Sequence, residues 1–320
     1  MFIISTQKPL KYFPVSSRPL QMSAGFNPWP GPLAVGNQAD VIYAIQRDQE
    51  LSLYQDNKKQ VSRSRHWVSI EHDKHYLLHA RGLKQLLEYW QEHDDHFQIL
   101  WQICHDEQKV HLLSFLQYHV QHTAIACASH YQSDSHEKVH SLYKTAYHTL
   151  ALYMQEDIAL LADIPQSSLV MGHICAPSFW APEHIKNASF AEIHRPIPGF
   201  PKNDQVAAKL ASTIAKRGPF VRFVWTVVAD QKLDHHPDND RIAFKDATEI
   251  YLRVERQTTV PLDRIGALFL IRTYLYAMSD LTDSEIDILQ QAIQNMPNEV
   301  AHYKGLQDRV NILRLLQANR

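Results

Sequence analysis

Hydrophobic and polar positions alternate most clearly in residues 250–257. The alternation separates an apolar set from a largely polar set: Ile250, Leu252 and Val254 against Tyr251, Arg253, Glu255 and Gln257. Other segments rich in β-branched or aromatic residues are separated by turn-forming stretches, so that five strands are predicted, at residues 169–175, 190–193, 220–229, 250–258 and 267–274. The connections lack regular helical crossovers, which favours a mostly antiparallel sheet.

Helical spacing of apolar residues occurs before and after this region. It predicts helices within residues 76–90 and 112–120, and a longer one over residues 136–162. Near the C-terminus, Thr282 and Glu285 form a capping-box pattern ahead of a helix that ends before Pro297, and a final helix starts at about residue 299. The fold class predicted is therefore α+β.

The 320 residues divide by pattern into four regions of one domain. Residues 1–60 are proline-rich and predict an extended N-terminal segment. Residues 61–165 form a helical region, and residues 166–280 contain the sheet. Residues 281–320 predict C-terminal helices that pack on the same domain.

Composition narrows the classes of partner. A formal net charge of -2 and a pI of about 6.9 do not indicate nucleic acid or a membrane surface as a binding partner. No apolar stretch is long enough to span a bilayer. A cytoplasmic protein is expected. Three cysteines without C-x-x-C spacing predict small core residues: Cys104, Cys127 and Cys175. The twenty histidines form no compact zinc pattern, and polar surface positions are the general interpretation.

His194 is the first candidate for chemistry. It precedes Pro196 and Pro198, which restrict the backbone, and we expect it on an extended, stiff segment beside apolar surface. An imidazole presented rigidly in this way suits an axial metal ligand. The alternative is a histidine bonded to the backbone.

Charged residues supply two further candidates. Four arginines lie on predicted strands among apolar residues: Arg222, Arg253, Arg256 and Arg272. A buried guanidinium must be paired, and the partner is either an internal carboxylate such as Glu255 or a ligand carboxylate. Glu156 and Asp157 lie at the C-terminal end of the predicted helix 136–162, where they are either a solvated helix end or part of a site.

Several of these residues belong to blocks by which the chain resembles a known family, the haem-binding subunit of bacterial haem-dependent oxidative N-demethylase and its relatives. The matching blocks run from about residue 156 to residue 303. They are Gln155-Glu156-Asp157, Ala176-Pro177-Ser178-x-Trp180 to Lys186, Ile193-His194-x-Pro196-x-Pro198, Arg253-Val254-Glu255-Arg256-Gln257-Thr258, Ile271-Arg272-Thr273-Tyr274, Met296-Pro297 and Tyr303-Lys304.

The resemblance implies a PAS-like, mostly antiparallel five-stranded sheet flanked by helices that holds haem b. His194 then becomes the axial iron ligand, and the haem propionates are met by Arg222, Arg256 and Arg272 with Gln257 near them. The family activity is monooxygenase-type oxidation of dimethylamine by O2 to methylamine and formaldehyde. Its electrons come from NADPH through separate flavin and iron-sulfur reductase components. Asp157, with Glu156 beside it, is the candidate carboxylate for a protonated amine. The alternative function is a non-catalytic PAS-like haem or small-ligand sensor.

Overall fold

The computed structural model describes residues 8–16, 26–28, 44–46, 48–65, 78, 81–83, 85–86, 147–148, 150–152, 154–163, 169–185 and 188–319. Its named helices are α1 (Leu51–Ser64), α2 (Phe190–His194), α3 (Asp204–Lys216), α4 (Asp283–Gln294), α5 (Asn298–Tyr303) and α6 (Arg309–Ala318). Its strands are β1 (Asn27–Pro28), β2 (Asp157–Ala162), β3 (Leu169–His173), β4 (Phe220–Val228), β5 (Tyr251–Leu262) and β6 (Gly266–Ala277). These elements confirm the α+β class.

The described strands form one six-stranded sheet in the order β1-β4-β5-β6-β2-β3, and every neighbouring pair is antiparallel. The predicted antiparallel arrangement is therefore confirmed, although the predicted number of five strands is wrong. The long hairpin β5–β6 turns at Asp263 and Arg264, both with positive φ, and the Ile265 amide donates to the Leu262 carbonyl. Two left-handed central residues give a turn whose twist matches that of the flanking strands.

The register gives the sheet two different faces. Arg222, Gln257, Ile271 and Asp157 lie side by side in one row across β4, β5, β6 and β2, and we call their side the site face. Among the partly exposed residues of β4, β5 and β6, only Phe223 lies on the opposite side. The others lie on the site face: Phe220, Arg222, Val224, Glu255, Pro261, Phe269, Ile271, Leu275 and Ala277. The site face is therefore the side of the sheet that is less covered.

The opposite side, which we call the helix face, carries the main cores. Helices α4, α5 and α6 pack their apolar residues, including Leu289 and Ile312, on Leu252 and Val254 of β5. A second core joins β2 and β3 to helical residues such as Leu83 and Tyr147. On the site face, helices α2 and α3 cover only the end of the sheet near Leu161 and Ala267. The middle of the site face is left partly open.

Two predictions assigned the wrong type of secondary structure. Residues 190–193 form helix α2 instead of a strand, because Ser189 and Glu192 make a reciprocal capping box at its start. The predicted helix 136–162 does not reach residue 162: positions 147–148 and 150–151 are helical, but Asp157–Ala162 is strand β2. All six residues of β2 are buried, and a short apolar run buried on both faces has no period that distinguishes strand from helix.

Other boundaries also differ from the prediction. Residues 51–64, most of which were assigned to the extended N-terminal segment, form α1. The final predicted helix is split into α5 and α6 at Gly305, whose φ is +73°. The helical positions 78, 81–83 and 85–86 agree with the predicted helix 76–90. The predicted helix 112–120, Cys104, Cys127 and Lys186 lie outside the described residues, whereas Cys175 is buried as expected.

Gly266 is a position where the close packing of β6 against β2 excludes a side chain. A Cβ atom there would lie 2.4 Å from the Leu161 carbonyl oxygen, whereas a Cβ at Gly172 in β3 would lie 3.5 Å from its nearest neighbour, Ile174 Cγ1. Gly266→Ala is expected to lower the free energy of unfolding by about 1–3 kcal/mol, because backbone must shift. Gly172→Ala is expected to be nearly neutral. Urea unfolding of both variants checks this, and equal midpoints would contradict it.

Candidate functional site

His194 is the last residue of α2, held by an aromatic stack. Its ring lies 4.0 Å from that of Phe190 and 5.2 Å from that of Phe200, measured between centroids. Nδ1 lies 2.8 Å from the Phe190 carbonyl oxygen, which can only accept, so Nδ1 carries the hydrogen and Nε2 the lone pair. Burial lowers the pKa of His194 to about 4, and the imidazole is therefore neutral at pH 7.

This geometry corrects how His194 is positioned. The expected extended segment is absent: Arg195 is helical, with φ -54° and ψ -35°, and the prolines follow the helix end. The rigidity instead comes from the ring stack and from the Nδ1 hydrogen bond. No described residue forms a hydrogen bond with Nε2. A neutral imidazole whose Nδ1–H is held by a carbonyl and whose Nε2 is unbonded is the state in which histidine ligates metals.

Arg222 begins a chain of hydrogen bonds along the site face. Its Nε donates to Gln257 Oε1 at 2.6 Å, and Gln257 Nε2 donates to Glu255 Oε2 at 2.8 Å. Ser178 Oγ donates to Glu255 Oε1 at 2.5 Å, and Arg253 Nε donates to Ser178 Oγ at 2.7 Å. No described residue accepts from the two Nη atoms of Arg222. The outer end of this guanidinium is available for an anion.

The charge around Arg222 is predominantly positive. Glu255 interacts electrostatically with three cations, Arg222, Arg253 and Lys304, while both of its oxygens already accept hydrogen bonds. Burial lowers the pKa of Lys304 to about 8, and its Nζ donates to the Trp225 carbonyl at 2.5 Å. Arg222 is also close enough to His194 for its charge to lower the pKa of the imidazole. The sheet near His194 therefore favours a negatively charged group.

Arg256 and Arg272 lie on the helix face, opposite to Arg222 and Gln257. Arg256 Nη2 donates to Glu156 Oε1 at 2.6 Å, and Arg272 is paired with Asp48 and donates from Nη1 to the Gln46 carbonyl at 2.6 Å. Both side chains are buried. The internal ion-pair interpretation thus describes them, with Glu156 and Asp48 instead of the suggested Glu255. The expected contacts of both arginines with haem propionates stay a prediction. These ion pairs disfavour it, because both guanidinium groups lie on the side of the sheet opposite to the site face.

Glu156 and Asp157 are buried, so the solvated helix end is wrong. Asp157 Oδ2 accepts hydrogen bonds from the amides of Cys175 at 2.9 Å and Ala176 at 2.8 Å. In the described part of the chain, no residue forms a hydrogen bond with Oδ1, and Lys58 Nζ lies 4.0 Å from it. Burial raises the pKa of Asp157 to about 6, against the opposing effect of Lys58. Asp157 is therefore a carboxyl group that changes charge near neutral pH on the site face.

Lys58 is the site residue that the sequence interpretation missed. It lies on α1, where Tyr54, Lys58 and Val61 are all buried. Their spacing of four and three residues is the helical pattern of an apolar stripe, and a lysine within such a stripe signals a buried, paired amine. The signal was present, but it fell in a region assigned to extended chain.

The segment from Ala176 to Trp180 is braced by the loop that contains His235 and His236. Phe179 has a φ of 65° and stacks on the His235 ring at 5.1 Å. Its amide donates to the His235 carbonyl, and the His235 amide donates to the Pro177 carbonyl. A left-handed non-glycine residue persists only where its surroundings hold it. Both histidines are buried, contrary to the surface interpretation.

One cluster of described residues has side chains of the kinds that ligate metals: Glu183, His236 and Asp238. Both nitrogens of its imidazole, however, already form hydrogen bonds. His236 Nε2 lies 2.9 Å from Glu183 Oε1, and Nδ1 accepts from the Asp238 amide at 3.2 Å. With both ring nitrogens used, this cluster binds the loop to residues 182–185 and carries no metal assignment.

Comparison with protein families identifies a match. The family described as haem-dependent oxidative N-demethylase, alpha subunit-like, matches residues 64–311, which is well over half of the chain. Comparison with curated proteins gives no match. Among the described residues, no helix is long and apolar enough to cross a membrane. Helix α1, which carries Lys58, lies almost entirely before the matched region.

Proposed function

Since the chain belongs to the haem-dependent oxidative N-demethylase alpha subunit-like family, we propose that it binds haem b against the site face and oxidises a small secondary amine such as dimethylamine. The products are a primary amine and formaldehyde. We also propose that the sheet and its helices form a PAS-like domain. The single observation that supports the proposal is the Nε2 atom of His194, which forms no hydrogen bond with a described residue and belongs to a neutral imidazole held by Phe190 beside the partly open site face.

The residues present fit a haem in the chemistry of their donors. His194 supplies a neutral nitrogen ligand whose orientation is fixed by the Nδ1 hydrogen bond. Arg222 supplies two Nη donors for a propionate, neither of which donates to a described residue, and Gln257 holds the guanidinium by its Nε. Arg256 and Arg272 contribute indirectly, because both join the sheet to the N-terminal segment. Arg272 does so by its ion pair with Asp48, and Arg256, which is paired with Glu156, donates to the Ala44 carbonyl.

Haem, when bound, supplies the activation of O2. The balanced reaction is (CH3)2NH + O2 + 2 electrons + 2 protons, giving CH3NH2 + HCHO + H2O. The two electrons are proposed to come from NADPH through separate flavin and iron-sulfur components, and the alpha subunit-like name of the family agrees with such partner subunits. The reaction also consumes two protons, and Asp157, with Oδ1 unbonded on the site face, is the residue proposed to exchange them. The carboxylate of Glu156 is engaged by Arg256.

Haem titration of the purified protein tests the binding step. We expect a Soret band that saturates at one haem per chain. Arg222→Gln is expected to weaken the affinity about tenfold or more, because a charge-assisted hydrogen bond to a propionate is lost. Arg217→Gln, which changes an exposed arginine, is the control. If the wild-type protein develops no Soret band, the proposed function is wrong.

Turnover is then measured as formaldehyde release from the haem-loaded protein with dimethylamine, O2 and a chemical reductant. Formaldehyde in proportion to O2 consumed supports the demethylase reaction. A stable Soret band without formaldehyde would instead favour the haem-sensor alternative.

A further inference from the structure

Lys58 and Asp157 form a buried pair of unusual geometry. The Lys58 ammonium group donates to three backbone carbonyls, those of Ala151 and Met154 at 2.9 Å and that of Glu156 at 2.5 Å. Asp157 Oδ1 lies 4.0 Å from Nζ, and it forms no hydrogen bond with any residue that the structure describes. The amine is thus fixed by the backbone, while the carboxylate beside it keeps one oxygen unbonded.

A second lysine–aspartate pair, Lys59 and Asp56 on α1, shows how burial changes the strength of such an interaction. Lys59 Nζ lies 3.7 Å from Asp56 Oδ1, close to the separation of Lys58 and Asp157, but its two side chains are 52% and 79% exposed against 2% and 3%. In water the solvent screens the attraction between Lys59 and Asp56. In the protein interior the same separation gives a much stronger interaction, so the charge of Lys58 acts directly on the proton affinity of Asp157.

The other groups around Asp157 leave Lys58 as its leading electrostatic partner. Burial raises the pKa of Asp157, and Lys58 opposes it more strongly than the two backbone donors and Arg253 do. Cys175 lies close enough to interact electrostatically with both partners, but burial raises the pKa of its thiol well above the usual value, so the thiol is neutral. Nearby Glu156 is committed to Arg256, and the pKa of His173 is lowered by burial, which keeps that ring neutral.

Asp157 also has a defined place relative to the proposed haem site. It occupies the same row of the site face as Ile271, Gln257 and Arg222, on adjacent strands. At about 4.8 Å per strand, roughly 14 Å separates it from Arg222. Asp157 and Arg222 are thus at opposite ends of one row.

We propose that Lys58 is the positioning residue for proton exchange at this site: it holds the Asp157 carboxyl group with Oδ2 on the Cys175 and Ala176 amides and Oδ1 unbonded, so that Oδ1 takes up and releases a proton during turnover. Its part in turnover rests on the proposed function. The pair itself does not, because it is formed by the protein alone.

Titration of the haem-free protein decides whether the pair exists. With aspartate labelled at the side-chain carbon, the signal lost in Asp157→Asn is expected to titrate at a pKa of about 6. In Lys58→Met the pKa of Asp157 is expected to rise by about 1–3 units, because the stabilising cation is removed. Lys59→Met should leave it unchanged. An unaltered pKa of Asp157 in Lys58→Met would refute the positioning role.

A wild-type measurement decides the matter if Lys58→Met does not fold. The side-chain nitrogen signal of Lys58, labelled with 15N, is expected to shift over the same pH range as the Asp157 carboxyl signal. A lysine signal that is flat across this range would overturn the proposal.

The haem-loaded protein tests the connection to the site. Its Soret maximum is expected to shift with the pKa of Asp157, and Asp157→Asn should remove this shift. A pH dependence that survives in Asp157→Asn would refute the role in turnover. Failure of the protein to bind haem would refute the proposed function while leaving the titration of the pair to decide the role of Lys58.

Discussion

His194→Ala is expected to abolish the Soret band that defines haem ligated by the protein. The substitution removes Nε2, which no described residue engages, and leaves no imidazole at the end of α2. Haem that still associates would lack its protein nitrogen ligand, and its spectrum would be that of unligated or weakly held porphyrin. Absorption spectroscopy during haem titration, compared with wild type, measures the effect.

Two controls make this result specific to ligation. His184→Ala changes a histidine on the short helical turn Pro182–Ile185 that is exposed, and it should bind haem as wild type does. Free imidazole added to His194→Ala is expected to restore part of the band by occupying the vacated ring position. A wild-type spectrum in His194→Ala would show that another group ligates the iron, and recovery by imidazole would then not be seen.

Arg256→Met is expected to lower the free energy of unfolding by about 3–5 kcal/mol, because it leaves the buried Glu156 carboxylate without its cation. Glu156→Gln should have a comparable cost, because it removes the carboxylate charge that compensates the buried Arg256 guanidinium. The double variant, Arg256→Met with Glu156→Gln, is expected to lose less than the sum of the two single changes, because it leaves no buried charge uncompensated. Chemical denaturation of the haem-free proteins measures all three.

Arg195 offers the matched control for this cycle. It forms an ion pair with Asp204 at 3.8 Å, but both side chains are largely exposed. Arg195→Met should therefore leave the denaturation midpoint close to that of wild type. If Arg256→Met were as mild as Arg195→Met, the interpretation of Arg256 as a required buried cation would be wrong.

The contrast between Arg222 and Arg256 explains why residue type alone did not separate an arginine that we propose binds a ligand from one that forms an internal ion pair. Both are arginines on predicted strands. In the folded sheet, Arg222 is directly opposite Gln257, whereas Arg256 is directly opposite Phe223 and Arg272, on the other side. Arg256 directly precedes Gln257, the residue opposite Arg222. Because successive side chains of a strand alternate between faces, this one position places the Arg256 guanidinium in the interior, whereas that of Arg222 lies beside the open face.

The sequence by itself determined those features that depend on neighbours along the chain. Alternation at residues 250–257 identified β5, the capping pattern at Thr282 and Glu285 identified α4, and the motif blocks identified the family. Local signals also misled where two structures compete for them: Ser189 and Glu192 start a helix at Phe190, where aromatic and β-branched content suggested a strand.

Only the tertiary structure decided which charged residues form pairs. Glu156 lies 100 positions from Arg256, and Asp48 lies 224 positions from Arg272, yet each pair is in contact. Lys58 reaches carbonyls more than 90 positions away and stands beside Asp157. A sequence specifies the period of each strand and helix, but the partner of a buried charge is fixed by strand register and by the docking of distant segments. The energy of these contacts exists only once water has been excluded from around them.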